Sequence, residues 1–167
     1  MGNHRIYPAD DAAHNGLAVQ YFYTLNFKAA LDEGAVLLDI YPGSVMGRSN
    51  YALYAMYATD FDTAVVEAEK VRELDPTYFK AWLPPAIKAL SEGNIGAAKS
   101  AYAEMVPAGV RGELTAQVGL ADAAIFGGDY ATARSLFDTG VALAQSAGSQ
   151  YFEATMRVGL AEAMMLA

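Results

Sequence analysis

The chain has 167 residues, 54% of them hydrophobic and 18% charged, and no cysteine. It is long enough to bury roughly 70% of its unfolded surface and too apolar to remain disordered; disulfides, thiol catalysis and thiolate metal sites are excluded by composition. The net charge of −8, from 19 acidic and 11 basic residues, opposes binding to nucleic-acid phosphates and to anionic membranes, which need clustered lysine and arginine, so neither is expected as a partner.

Residues 1–10, with Pro8 and Asp10, read as an extended lead that ends in a helix N-cap. Met1-Gly-Asn-His-Arg-Ile-Tyr-Pro lacks the apolar centre of a signal peptide, and Ile6 stands where a myristoylation motif wants serine or threonine. The best apolar run, around Gly34 to Ile40, is interrupted by Asp39 and falls short of the roughly 18 residues a membrane span requires. A soluble, cytoplasmic protein is expected.

Beyond the lead, the chain repeats. Asn26-Phe27, Asp60-Phe61, Asn94-Ile95 and Asp129-Tyr130 are spaced 34, 34 and 35 residues apart. Each pair is predicted to open a helix. An alanine follows each second residue by three positions (Ala30, Ala64, Ala98, Ala133), and another small residue precedes each pair (Ala18, Ala52, Ala86, Ala121). Pro42 and Pro76 close the first two units. The register gives helix–turn–helix units at about 11–44, 45–78, 79–113 and 114–153, with a final helix at about 150–167.

Individual units show departures. In the second, Val66, Ala68, Val71 and Leu74 are spaced as the buried stripe of its second helix. In the third, Pro84-Pro85 falls within the first helix, which must start late or kink. The hexapeptides Val118-Gly-Leu-Ala-Asp-Ala and Val158-Gly-Leu-Ala-Glu-Ala stand 40 residues apart, so the fourth unit needs a longer second helix, from Ala131 to about Ala147, before a Gly148-Ser149 turn.

On these residues the chain resembles the tetratricopeptide-repeat (TPR) family over about residues 11–167. Trp82, Ala86, Gly93-Asn94-Ile95, Ala98 and Tyr102 occupy the family's marked positions in unit three, and Leu120-Ala121, Gly128-Asp129-Tyr130, Ala133 and Phe137 do so in unit four. The resemblance implies an all-α fold: a right-handed α-α superhelix, or solenoid, of about four TPR units plus a C-terminal helix, as one domain. The lengthened fourth unit is similar to the TPR portions of large bacterial signalling and regulatory proteins.

Catalytic chemistry finds no residue set. Histidine occurs at His4 and His14 alone, so structural zinc and other metal sites are not expected, nor is any cofactor. Glu67 and Glu69, and Asp60 and Asp62, are two residues apart and point in different directions on a helix; they read as solvated surface and turn residues. Lys99 lies too far from Gly96 for a phosphate loop, and Ser44 is one residue too far from Gly47 for a nucleophile elbow. The chain is read as not an enzyme.

The resemblance instead implies a binding face on the first helix of each unit, on the concave side of the stack. The family's ligand-facing positions fall on Val19, Phe22 and Tyr23; on Met46, Asn50, Leu53, Met56 and Tyr57; and on Lys80, Leu83, Ile87 and Leu90. Unit four adds Val118, Asp122, Ile125 and Phe126. Such an apolar, aromatic groove suits a peptide or helical segment of a protein partner. The carboxylate clamp of the chaperone co-factors in this family is broken: Asn50 and Lys80 match it, whereas Asn15, Val19 and Pro84 do not. The apolar last helix, with Val158, Leu160, Met164, Met165 and Leu166, raises the alternative of a regulatory piece of a larger chain that stacks on neighbouring repeats or forms a homo-oligomer.

Overall fold

The computed structural model of the chain describes residues 11–167; the lead at 1–10, its expected N-cap and His4 lie outside the described residues. Among the described residues every regular element is helical. The chain parts into two compact units between Pro84 and Pro85. The first holds α1 (Asp11–Tyr23), α2 (Phe27–Ile40), α3 (Val45–Tyr57), α4 (Phe61–Leu74) and a 3-10 turn at Phe79–Trp82. Then come α5 (Leu83–Ser91), whose first turn contains the division, and in the second unit α6 (Ile95–Ala103), a 3-10 turn at Val106–Ala108, α7 (Val110–Phe126), α8 (Tyr130–Ser146) and α9 (Gln150–Leu166).

The four periodic pairs form one recurring turn. Asn26, Asp60, Asn94 and Asp129 each cap the following helix, the side-chain oxygen accepting from the backbone N–H of Ala29, Thr63, Ala97 and Thr132 at 3.1–3.3 Å. That bond satisfies one of the orphan donors at a helix start. The amide of each cap residue reaches back to the helix before it: Asn26 to Tyr21 O, Asp60 to Ala55 O, Asn94 to Ala89 O and Asp129 to Ala124 O. Such a closing bond requires a left-handed residue just before the cap. Gly93 and Gly128 supply it in two turns, but Leu25 (φ 61°) and Thr59 (φ 63°) are forced into the same conformation in the other two.

Both alanine rows are fully buried, from Ala18, Ala52, Ala86 and Ala121 to Ala30, Ala64, Ala98 and Ala133. A methyl group is all that the close approach of paired helices admits. The rings of Phe27, Phe61 and Tyr130, with Ile95, stand half-buried beside them. Pro84 and Pro85 occupy the first turn of α5, where their missing amides have no helical partner to lose; the helix starts late and the prolines are accommodated. The lengthened second helix expected in unit four is α8, ending at Ser146 before a left-handed Gly148.

Two expectations need correction. The buried stripe of α4 is Ala64, Glu67, Ala68 and Val71, while Val66 and Leu74 are exposed. The apolar pattern suited a helix period, but the face turned to α3 is chosen by the small residues that permit close packing. Glu67, read as solvated, is buried: it pairs with Arg48 of α3 and takes a 2.7 Å bond from Lys70. Burial raises the carboxyl pKa, but the hydrogen bonds from Lys70 and Arg48 and their charges override it and hold Glu67 below its ordinary range.

Candidate protein-interaction face

The candidate residues of the first unit lie on α1 and α3, positioned by the caps and alanines just described. Phe22, at the last turn of α1, is the centre of an aromatic cluster. Its ring meets Tyr57 edge-on at 5.0 Å between centroids, Tyr54 at 5.3 Å, Tyr23 at 5.6 Å and Phe27 at 5.8 Å. Phe27 and Tyr57 stack at 5.8 Å. Edge-to-face contacts at these separations match the ring quadrupoles and add to the value of burial. Tyr54 forms the floor, buried against Ala18 and Ala30, and burial, with Tyr23 nearby, pushes its hydroxyl pKa up.

The upper edge of the cluster is open. Tyr23 is 78% exposed and Tyr57 53% exposed. Along α3, Met46, Asn50, Leu53 and Tyr57 fall on one helical face; Met46 is exposed, and Asn50, Leu53 and Met56 are half-buried. Val19 and Phe22 are half-buried on α1. Of the groove residues inferred from sequence, the structure thus gathers Phe22, Tyr23 and Tyr57 into one patch and leaves Met46 at the opposite end of α3. Phe27 and Tyr54 belong to the patch but were absent from that set. Their signal was present, because Tyr54 precedes Tyr57 by three residues and Phe27 opens the periodic turn.

Lys80 is half-buried in the 3-10 turn, and Leu83, Ile87 and Leu90 are half-buried along α5. Pro84 is fully buried, so the clamp position it occupies presents nothing to a ligand. In the second unit, Val118 and Ile125 pack on the core around Leu114, Phe137 and Met156, whereas Asp122 and Phe126 of α7 are exposed. Histidine chemistry is also explained structurally: His14 is buried and bonds through Nδ1 to Glu33 Oε2 at 2.6 Å. Among the described residues no three His, Asp or Glu side chains gather as metal ligands, and no helix is long and apolar enough to cross a membrane.

No protein-family model matches the sequence, and neither does any curated protein. Solved structures do match. A thermophilic TPR protein of Thermus thermophilus superposes with a TM-score of 0.80 at 15% identity, covering 97% of this chain and 85% of that one. A TPR protein of Parabacteroides merdae gives 0.70 at 14% identity, over 98% of this chain and 62% of that one. PilW, a type IV pilus biogenesis factor, gives 0.67 at 18% identity, over 94% and 79%. At these identities the likeness is one of fold.

Proposed function

With the all-α helical-repeat solenoid of TPR proteins as its fold, we propose that the chain is a non-catalytic scaffold for protein–protein interaction. It takes a peptide or helical segment against the apolar first-helix faces, with Phe22, Tyr23, Leu53 and Tyr57 as the main contacts. The observation that carries this reading is the open aromatic cluster on α1 and α3. Exposed tyrosines on a rigid, well-packed base are typical anchors of interfaces, because large contact area is gained with little side-chain ordering. A helix laid on such a face is held by apolar side chains at helical spacing.

Selection of peptides from a displayed random library against the intact chain tests this. Tyr57→Ser and Leu53→Ser should each weaken a selected peptide by about tenfold, a loss of about 1.4 kcal/mol. Both variants should keep the helical circular-dichroism spectrum and a cooperative melt, lowered for Tyr57→Ser by the lost ring contacts to Phe22 and Phe27. Equal affinity for both variants would remove the assignment of this face. A second reading, stacking on neighbouring repeats or on another copy, is favoured by the exposure of Met164 and Leu166 on α9. It predicts association in sedimentation that Met164→Ser and Leu166→Ser abolish.

A further inference from the structure

The two hexapeptides place matching side chains on two helices of the second unit. Val118 and Asp122 of α7 match Val158 and Glu162 of α9; Phe126 continues the first stripe at the next four-residue step, and Met165, three residues after Glu162, continues the second. Phe126 is 62% exposed, Val158 69% and Met165 87%, and the residues Asp122 and Glu162 each reach solvent. The two helices share one core: Leu114 and Ala121 of α7 pack in the same cluster as Met156 and Ala163 of α9. Gly119 and Gly159 hold equivalent places in the two hexapeptides, each under the ring of the preceding helix, Tyr102 and Phe137 respectively. The two stripes therefore lie on helices that share one core within the second compact unit.

Each stripe has an acid between apolar side chains. Neither Asp122 nor Glu162 takes part in an ion pair among the described residues. Although Asp122 reaches solvent, desolvation by its neighbours raises its carboxyl pKa to about 6, with the Glu162 charge adding to the shift. Two like charges in an apolar setting are relieved by a cation placed between them. A second copy of this chain would bring another acidic pair to the same place and add to the net charge of −8, which disfavours self-association through this face.

We propose that the α7–α9 face of the second unit binds a basic amphipathic segment, seating a lysine or arginine between Asp122 and Glu162 and apolar residues against Phe126, Val158 and Met165. This rests on the first-helix faces being the ligand side, as proposed above, and adds the chemistry of the partner. The charge pattern selects the sign of the ligand, while the apolar residues supply area.

Isothermal titration of the full chain with three synthetic amphipathic peptides of about 15 residues, leucine–lysine, leucine–glutamine and leucine–glutamate, tests the proposal. The leucine–lysine peptide should bind best, weaken as salt is added, and lose about tenfold in affinity to the chain carrying Asp122→Asn and Glu162→Gln. Should that double variant melt early, Glu162→Gln alone gives the same comparison at an exposed position. Equal binding of the lysine and glutamine peptides, or an unchanged affinity in the variant, would overturn the basic-segment proposal and leave the scaffold reading standing. Failure of all three peptides to bind overturns this proposal. The scaffold reading itself fails only if the selected library peptides also ignore Tyr57→Ser and Leu53→Ser. A dimer that Met165→Ser dissolves, with no peptide uptake, would overturn the proposal in favour of a second copy.

Discussion

Phe137 of α8 presses on Gly159 of α9 so closely that a β-carbon at Gly159 would stand 2.3 Å from the ring. Tyr102 of α6 does the same to Gly119 of α7. The second residue of each hexapeptide is thus glycine for a steric reason, and the two sequences match because each underlies an aromatic ring from the preceding helix. Burial raises the Tyr102 hydroxyl to about 12, with Asp122 adding to the effect, so the ring packs as a neutral group.

Gly159→Ala should therefore destabilise the chain by about 1–3 kcal/mol, as overpacking in a filled core does, despite the better helix propensity of alanine. Gly127→Ala, where the added carbon meets ordinary contacts no closer than 3.4 Å, should change stability little. Urea denaturation of both variants makes the comparison; similar midpoints would remove the ring-on-glycine account.

The buried pair in the first unit predicts an asymmetry between ion pairs. Arg48→Met leaves the Glu67 carboxylate inside the helix pair with Lys70 alone, and should destabilise by roughly 2–4 kcal/mol, near the range for a broken buried pair. Lys28→Ala breaks the exposed pair with Asp32 and should change stability by less than about 0.5 kcal/mol. Chemical denaturation that ranks the two equally would contradict the burial of Glu67.

Leu25 and Thr59 carry a left-handed backbone that their side chains resist. Leu25→Gly and Thr59→Gly should each be stabilising by about 0.5–1 kcal/mol, the relief of strain exceeding the larger unfolded-state freedom of glycine. Thermal melts of each single variant check the two gains; unchanged or lowered midpoints would contradict the strain assigned to these turns.

The pH dependence follows from Asp122. Its folded value, about 6, stands above the ordinary 3.8, so the native chain keeps a proton that the unfolded chain releases in that window. This group's contribution to stability is complete below about pH 4 and is lost as pH rises through about 6. Glu67 acts in the opposite sense, its lowered pKa favouring the fold above its ordinary value. The difference between wild type and Asp122→Asn isolates the first effect: the variant should gain on wild type as pH rises from about 4 to 7. Parallel melting curves across that window would exclude it.

The periodic pairs, the two alanine rows, the interruption at Pro84-Pro85 and the length of α8 were legible in the residues, because each is a local demand, although only the structure chose a late start of α5 over a kink. A cap needs a short polar side chain, a close crossing needs a methyl group, and a proline needs a first turn. Charges and rings were not legible in the same way. His14 with Glu33 and Arg48 with Glu67 occupy equivalent places 34 residues apart, each joining residues separated by 19 positions; nothing local distinguishes Glu67 from a solvated glutamate. Likewise, periodicity marks Phe22 and Tyr57 as helix-face residues, but only the packing of α1 near α3 makes them one patch. Sequence alone determined which positions must be small, capped or turned. Tertiary structure decided which polar groups are paired in the interior and which apolar ones remain open to a partner, because burial is a property of what packs above a residue and not of the residue itself.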